Sequence, residues 1–153
     1  MEFIKLKERE IKSENKKLVK VFEQLASLLL AINKKEIPEE IRATINTTIH
    51  SLNAVLGTDK ELKKQIIKAQ ASILKLIEKE LKLVPKNYYQ NTYLVIGMAL
   101  GMTVVGVPIG TATGNMGLMG IGMCFGMAFG IIVGKAKDKK AFEAGEQLDI
   151  EIG

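Results

Sequence analysis

Residues 93–134 contain no Asp, Glu, Lys or Arg, and most of the chain's glycines lie among them. This uncharged run consists of two apolar stretches, from about Tyr93 to Thr113 and from about Met116 to Gly134, with a short turn between them. As a helix, with a rise of about 1.5 Å per residue, each stretch spans roughly 30 Å, the thickness of the hydrocarbon core of a bilayer. The run therefore predicts a transmembrane helical hairpin over residues 87–134.

Glycine recurs at nearly every fourth position of both stretches, which keeps the glycines close to one face of each helix. In lipid, apolar side chains gain nothing by leaving the solvent for one another, so helices associate where small residues let their backbones approach. We therefore expect glycine-zipper packing. The predicted packing residues are Gly97, Gly101, Gly106, Gly110 and Gly114 in the first stretch and Gly122, Gly126, Gly130 and Gly134 in the second.

The first stretch interrupts this period with a five-residue step from Gly101 to Gly106, which in an α-helix turns the glycine row to another side. Pro108 lies just beyond the step and lacks a backbone donor, so we expect a kink there. The small-residue surface is then large enough for a second contact, which favours a homo-oligomer. The alternative is that one hairpin uses all of it.

Residues 1–86 have the periodicity of amphipathic helices. In the first helix a seven-residue spacing typical of coiled coils places Ile4, Ile11, Leu18, Leu25 and Ile32 in one row. Pro38 opens a second helix, and Thr58 with Glu61 forms a capping box for a third, which stops before Pro85. The predicted fold class is all-α, with an antiparallel three-helix bundle in the cytoplasm before the hairpin.

A charged tail occupies residues 135–153 and ends in a strand-like alternation at Leu148, Ile150 and Ile152. This alternation is too short to be stable alone, so the tail either is disordered or pairs with another segment. Lysines flank both ends of the hairpin, whereas its turn has no basic residue. They are Lys79, Lys82 and Lys86 before it and Lys135, Lys137, Lys139 and Lys140 after it. By the positive-inside rule both termini lie in the cytoplasm, and the lipid bilayer is a partner.

The repeats IGMALGM, GVPIGTATGN and GIGMCFGMAFGIIVG, followed by KDKKAFEAGEQLD, resemble the glycine-zipper small membrane proteins of bacteria over roughly residues 93–149. The resemblance implies a membrane location, here the bacterial inner (cytoplasmic) membrane, and helix packing through glycine. It implies no activity and no catalytic residue.

The residues themselves also predict no enzyme, no cofactor and no metal site. His50 is the only histidine, and neither a cysteine nor a motif-like acidic residue accompanies it. The stretch GNMGLMGIG lacks the preceding strand that a dinucleotide loop requires. Lysines of the N-terminal region alternate with glutamates, which favours a solvated helix face over a nucleic-acid surface.

Three functions remain open. The first is a self-associating scaffold or interaction protein with an unidentified cytoplasmic partner, and the second is an oligomeric, holin-like pore former. The third is Cu(I) transport along stacked thioethers, a minor alternative because methionine commonly fills gaps beside small residues. The methionines concerned are Met98, Met102, Met119, Met123 and Met127.

Overall fold

A computed structural model describes residues 3, 4, 6, 15–55 and 57–152, and these residues are mostly helical, as predicted. The helices are α1 (Lys16–Asn33), α2 (Glu39–Asn53), α3 (Asp59–Leu81), α4 (Tyr88–Leu100), α5 (Val107–Thr113) and α6 (Met119–Glu143). A π-helical segment, Gly101–Gly106, joins α4 to α5, and a 3₁₀ turn, Met116–Leu118, precedes α6. Two short strands, β1 (Val84–Lys86) and β2 (Gln147–Glu151), complete the architecture of the described residues.

The first helix begins later than its seven-residue pattern predicts. Asn15 caps α1, because its side-chain oxygen accepts the Leu18 N–H at 3.3 Å. Ile4 lies outside any helix, and its N–H instead donates to Oδ1 of the buried Asn46 at 2.9 Å. The prediction of a helix running back through Ile4 is therefore wrong, while Ile11 lies outside the described residues.

Contacts divide the described chain into two compact units, of which the first comprises the described residues up to Val84 together with Leu148–Ile150. In this unit α1 and α2 both pack against α3. Each of the three helices buries a row of apolar residues, and the row on α1 matches the seven-residue spacing expected for it. The rows are Leu18, Leu25 and Ile32 on α1, Ile45, Ile49 and Leu52 on α2, and Leu62, Ile66, Ala69, Ile73 and Ile77 on α3. Removing these apolar surfaces from water is the main driving force for the fold of this unit.

The capping box predicted for the third helix is confirmed. Thr58 Oγ1 accepts the Glu61 N–H at 3.4 Å, and Glu61 Oε2 accepts the Thr58 N–H at 3.0 Å. These bonds satisfy two backbone donors, which fixes where α3 begins.

The C-terminal tail is not wholly irregular, because β2 pairs with β1 in a two-stranded sheet. Leu148 and Val84 are both buried in the first unit. The all-α prediction is corrected in this respect: a segment that cannot be a stable strand alone becomes one when a second segment supplies backbone partners. β1 directly precedes α4, and β2 follows α6. The pairing of the two strands therefore joins the segment that enters the hairpin to the segment that leaves it.

The second unit, residues 85–147 with the described residues after 150, contains the hairpin. Its two arms, Tyr88–Thr113 and Met116–Glu143, are long and apolar enough to cross a membrane. Only 17% and 11% of their most apolar windows are buried, whereas a core helix of a soluble protein is mostly buried. The second arm continues nine residues past the predicted boundary at Gly134, so the first part of the predicted tail is helical.

Candidate helix-packing interface in the hairpin

Backbone atoms of the two arms meet directly in the middle of the hairpin. A Cβ atom built on Gly126 would meet the Gly97 carbonyl oxygen and lie 2.8 Å from the Gly101 Cα. A Cβ on Gly101 would lie 2.7 Å from the Gly126 Cα. Carbon atoms in favourable contact are about 3.5–4.0 Å apart, so only the hydrogen of glycine fits between the two helices at this level.

The same kind of contact extends towards the ends of the hairpin. A Cβ on Gly130 would lie 2.8 Å from the Tyr93 carbonyl carbon, and one on Gly134 would lie 2.7 Å from the Tyr89 oxygen. A Cβ on Gly122 would lie 2.6 Å from the Gly106 Cα. The structure thus places all four predicted glycines of α6 against the first arm.

The five-residue step from Gly101 to Gly106 coincides with the π-helical segment. Hydrogen bonds in a π-helix join residues five apart, so a five-residue step brings Gly106 back to the face of Gly101. A Cβ on Gly106 would lie 2.5 Å from the Met119 oxygen, and one on Gly110 would lie 2.9 Å from Met119 Cγ. Contrary to the prediction, the glycine row does not turn aside, and these glycines face α6.

Pro108 lies in the first turn of α5, immediately after the π-helical segment. At the end of this segment the Val107 N–H donates to the Met102 carbonyl. The kink expected near Pro108 stays a prediction. Proline lacks the N–H that would continue this hydrogen-bond ladder, and the regular α-helical pattern is interrupted next to it by the π-helical segment.

Gly114 does not take part in the packing. A Cβ at this position would meet nothing within 4 Å, and its φ of +65° is in the left-handed region that favours glycine. Gly114 ends α5 as its C-cap and opens the turn, so its conformation rather than its small size requires glycine.

Asp138 on α6 was not predicted as a functional residue, and it caps the start of α4. Its buried carboxylate accepts the Tyr89 N–H at 3.0 Å on Oδ1 and the Gln90 N–H at 2.8 Å on Oδ2. Asn87, the residue at the N-cap position, makes no side-chain capping bond of its own. The signal was present in the sequence, because Asp138 continues the four-residue row of Gly130 and Gly134 by one step.

Three tyrosines surround this end of the hairpin. Tyr88 and Tyr89 make an edge-to-face contact with ring centroids 5.4 Å apart. The ammonium group of Lys137 lies 4.8 Å from the Tyr93 ring centroid and 5.5 Å from that of Tyr89. The hairpin therefore ends in an amphipathic layer of aromatic and cationic groups next to its apolar part.

Large apolar side chains cover the outward faces of the hairpin. Exposed examples are Val95, Ile96, Leu100 and Val104 on the first arm and Ile121, Phe125, Phe129 and Ile132 on the second. The hydroxyl groups of Thr103, Thr111 and Thr113 donate to carbonyl groups one turn earlier on their own arm, at 3.0, 3.0 and 2.7 Å. These threonines thus satisfy their donors internally, and the outward faces are apolar.

The methionines considered for copper are distributed around the hairpin. Met102 is exposed, whereas Met98, Met119, Met123 and Met127 are half-buried. Within the described part of the chain, no cluster of three or more His, Cys, Asp or Glu side chains could hold a metal ion. Cys124 is a free, exposed thiol on α6.

Comparisons of the chain with protein-family models, curated proteins and solved structures found no match.

Proposed function

We propose that this chain is an integral membrane protein that serves as a scaffold or interaction protein and has no enzymatic activity. In this proposal the hairpin anchors the N-terminal helical region to the bilayer. The observation that carries the proposal is the combination of two long apolar arms, a contact made through glycine backbone, and outward faces covered by large apolar side chains.

The type of contact supports lipid rather than water as the surrounding solvent. Apolar surface left in water costs roughly 25 cal/mol per Å², and soluble monomers rarely expose contiguous apolar patches above a few hundred Å². A contact between glycine faces buries few apolar side chains, so the hydrophobic effect in water would contribute little to it. In lipid the same contact is favourable, because close backbone approach increases dispersion attraction between the helices.

The proposed location is the bacterial inner membrane. The four-residue glycine spacing and its resemblance to bacterial glycine-zipper proteins support this location and the assignment of the contact as a glycine zipper. The lysines flanking the hairpin and the tyrosines Tyr88, Tyr89 and Tyr93 support an orientation with both termini in the cytoplasm.

The proposed cytoplasmic part is a three-helix bundle that offers a surface to an unidentified protein partner. Self-association into a homo-oligomer remains part of the proposal. Because the glycine rows face each other within one hairpin, self-association would use the outward faces, such as that of Phe125 and Phe129.

Pore formation and Cu(I) transport have weaker support. A pore needs polar groups or a rearranged gate along its wall, and the threonine hydroxyls of the arms are engaged by their own helices. Copper transport would use Met98 and Met102, and the different exposure of these two side chains does not favour a continuous thioether row.

Labelling of cysteine tests the membrane topology. Cys124 is the only cysteine and lies exposed near the middle of the apolar part of the second arm, residues 116–134. We expect a membrane-impermeant maleimide to leave it unmodified in intact membranes and to modify it readily after detergent is added, because lipid covers this thiol. Equal labelling with and without detergent would contradict the proposed location.

The orientation requires two further variants in a Cys124→Ser background. Asn115→Cys, in the exposed turn, should react from outside intact cells, whereas Ala144→Cys should react only after the cells are opened. The reverse pattern would contradict the cytoplasmic placement of the termini but not the hairpin itself.

A further inference from the structure

Four lysines follow the apolar part of α6 without a break in the helix. They are Lys135, Lys137, Lys139 and Lys140, and all four are exposed. At about 1.5 Å per residue they cover roughly 7.5 Å along the helix axis. The polar layer on each side of a hydrocarbon core is about 5 to 7 Å thick, so a helix leaving the core at Gly134 carries these lysines through that layer.

The direction of α6 also turns these lysines towards the bilayer. Side chains of an α-helix tilt towards its N-terminus, and the N-terminal part of α6 is its apolar part. Lys137 shows this tilt, because its ammonium group reaches back along the hairpin to within 4.8 Å of the Tyr93 ring centroid. Lysines at the start of a membrane helix would instead point away from the lipid.

Two acidic residues, Asp138 and Glu143, lie in the same stretch of α6 as the four lysines and offset only part of their charge. The carboxylate of Asp138 is buried and accepts two backbone N–H groups of α4. Glu143 lies 3.7 Å from the Lys139 ammonium group, but both side chains are largely exposed, and such pairs contribute little. Four positive and two negative charges therefore lie between Lys135 and Glu143, which leaves a net charge of +2.

We propose that Lys135, Lys137, Lys139 and Lys140 form a lysine collar that binds the headgroups of anionic phospholipids. This inference rests on the membrane location proposed above and adds the class of lipid that the hairpin prefers. The lysine collar lies within about one Debye length of the headgroups at physiological ionic strength, so each lysine attracts anionic lipid and the effect weakens with salt.

The chain carries its own probe for this preference, because it has no tryptophan and its three tyrosines all lie at this end of the hairpin. The purified full-length protein is reconstituted in vesicles that contain brominated phosphatidylglycerol or brominated phosphatidylcholine in a phosphatidylcholine background. We expect both lipids to quench tyrosine fluorescence. At low salt, phosphatidylglycerol should associate with the protein about threefold or more tightly than phosphatidylcholine does. The ratio of the two association constants should fall towards one at high salt.

Two variants with equal charge changes identify the residues responsible. The first variant replaces all four collar lysines by glutamine and should abolish the preference for phosphatidylglycerol. Its substitutions are Lys135→Gln, Lys137→Gln, Lys139→Gln and Lys140→Gln. The matched control replaces four exposed lysines of α3, Lys60, Lys64, Lys68 and Lys75, by glutamine and should retain it. Equal quenching by both lipids in the unmodified protein, or a preference that persists without the collar lysines, would overturn the lysine collar and leave the hairpin in the bilayer. Failure of either lipid to quench would instead overturn the membrane location.

Discussion

Replacing Gly126 by leucine is expected to force apart the two arms of the hairpin. The first carbon of the new side chain would meet the Gly97 oxygen and lie 2.8 Å from the Gly101 Cα, and both are backbone atoms that no side-chain rotation can move. Overpacking of a close contact usually costs about 1–3 kcal/mol, and obstruction by backbone places this variant at about 3 kcal/mol or above. At the proposed membrane location the helices themselves should persist, because each helix satisfies its own backbone hydrogen bonds.

Gly120→Leu is the matched control for this substitution. Gly120 lies on the same helix, and a Cβ there would meet nothing within 4 Å. In a Cys124→Ser background, nitroxide labels at Ile96→Cys and Phe129→Cys report the distance between the arms, because both positions are exposed. Without a leucine substitution, and with Gly120→Leu, we expect a narrow distribution of distances between the two labels. With Gly126→Leu we expect the distances to be longer and their distribution broader. Identical distributions for the two leucine variants would show that the glycine contact does not hold the arms together.

Replacing Asp138 by alanine is expected to loosen the first turn of α4. The substitution removes both oxygens that accept the Tyr89 and Gln90 N–H groups, and no side-chain capping bond from Asn87 compensates for them. A lost cap costs about 0.5–2 kcal/mol, and bonds to a charged acceptor lie at the upper end of that range. A cost of about 2 kcal/mol raises the equilibrium constant for opening of this turn roughly 30-fold.

Amide hydrogen exchange measures this opening directly. We expect the amide protons of Tyr89 and Gln90 to exchange roughly 30-fold faster in Asp138→Ala than in the unmodified protein, since faster exchange follows the larger opened population. Asp138→Asn should give an intermediate rate, because its amide keeps one acceptor oxygen. Glu143→Ala, which removes only an exposed ion pair on the same helix, should leave both rates unchanged. An unchanged rate in Asp138→Ala would contradict the capping role.

The sequence predicted the features that depend on residues close together in the chain, namely the spacing of apolar residues, the helix cap and the long uncharged stretches. The buried row of α1 followed from the seven-residue spacing of its apolar residues, and the capping box followed from the type and spacing of Thr58 and Glu61. The two apolar arms followed from length and the absence of charge. Such features require no knowledge of which segments meet.

Other features depend on contacts between distant segments, and sequence reasoning missed them or predicted them wrongly. The pairing of β2 with β1 joins segments that are far apart in the chain, so the pattern at Leu148 and Ile150 could not identify its partner. The direction of Gly106 was predicted for a regular α-helix, whereas the π-helical segment returns it to the face of Gly101. The role of Asp138 was missed because the residue lies in a lysine-rich segment. Its four-residue spacing from Gly134 nevertheless placed it on the packing face.

Sedimentation of membranes from expressing cells tests whether both arms of the hairpin lie in lipid. Membranes are washed with alkaline carbonate, which strips peripheral proteins, and are then centrifuged without detergent. We predict that the full-length chain remains in the pellet and enters the supernatant only when detergent is added, because the proposed membrane location shields exposed apolar side chains such as Phe125 and Phe129 from water. Recovery of the chain as a monodisperse protein in the detergent-free supernatant would contradict the account.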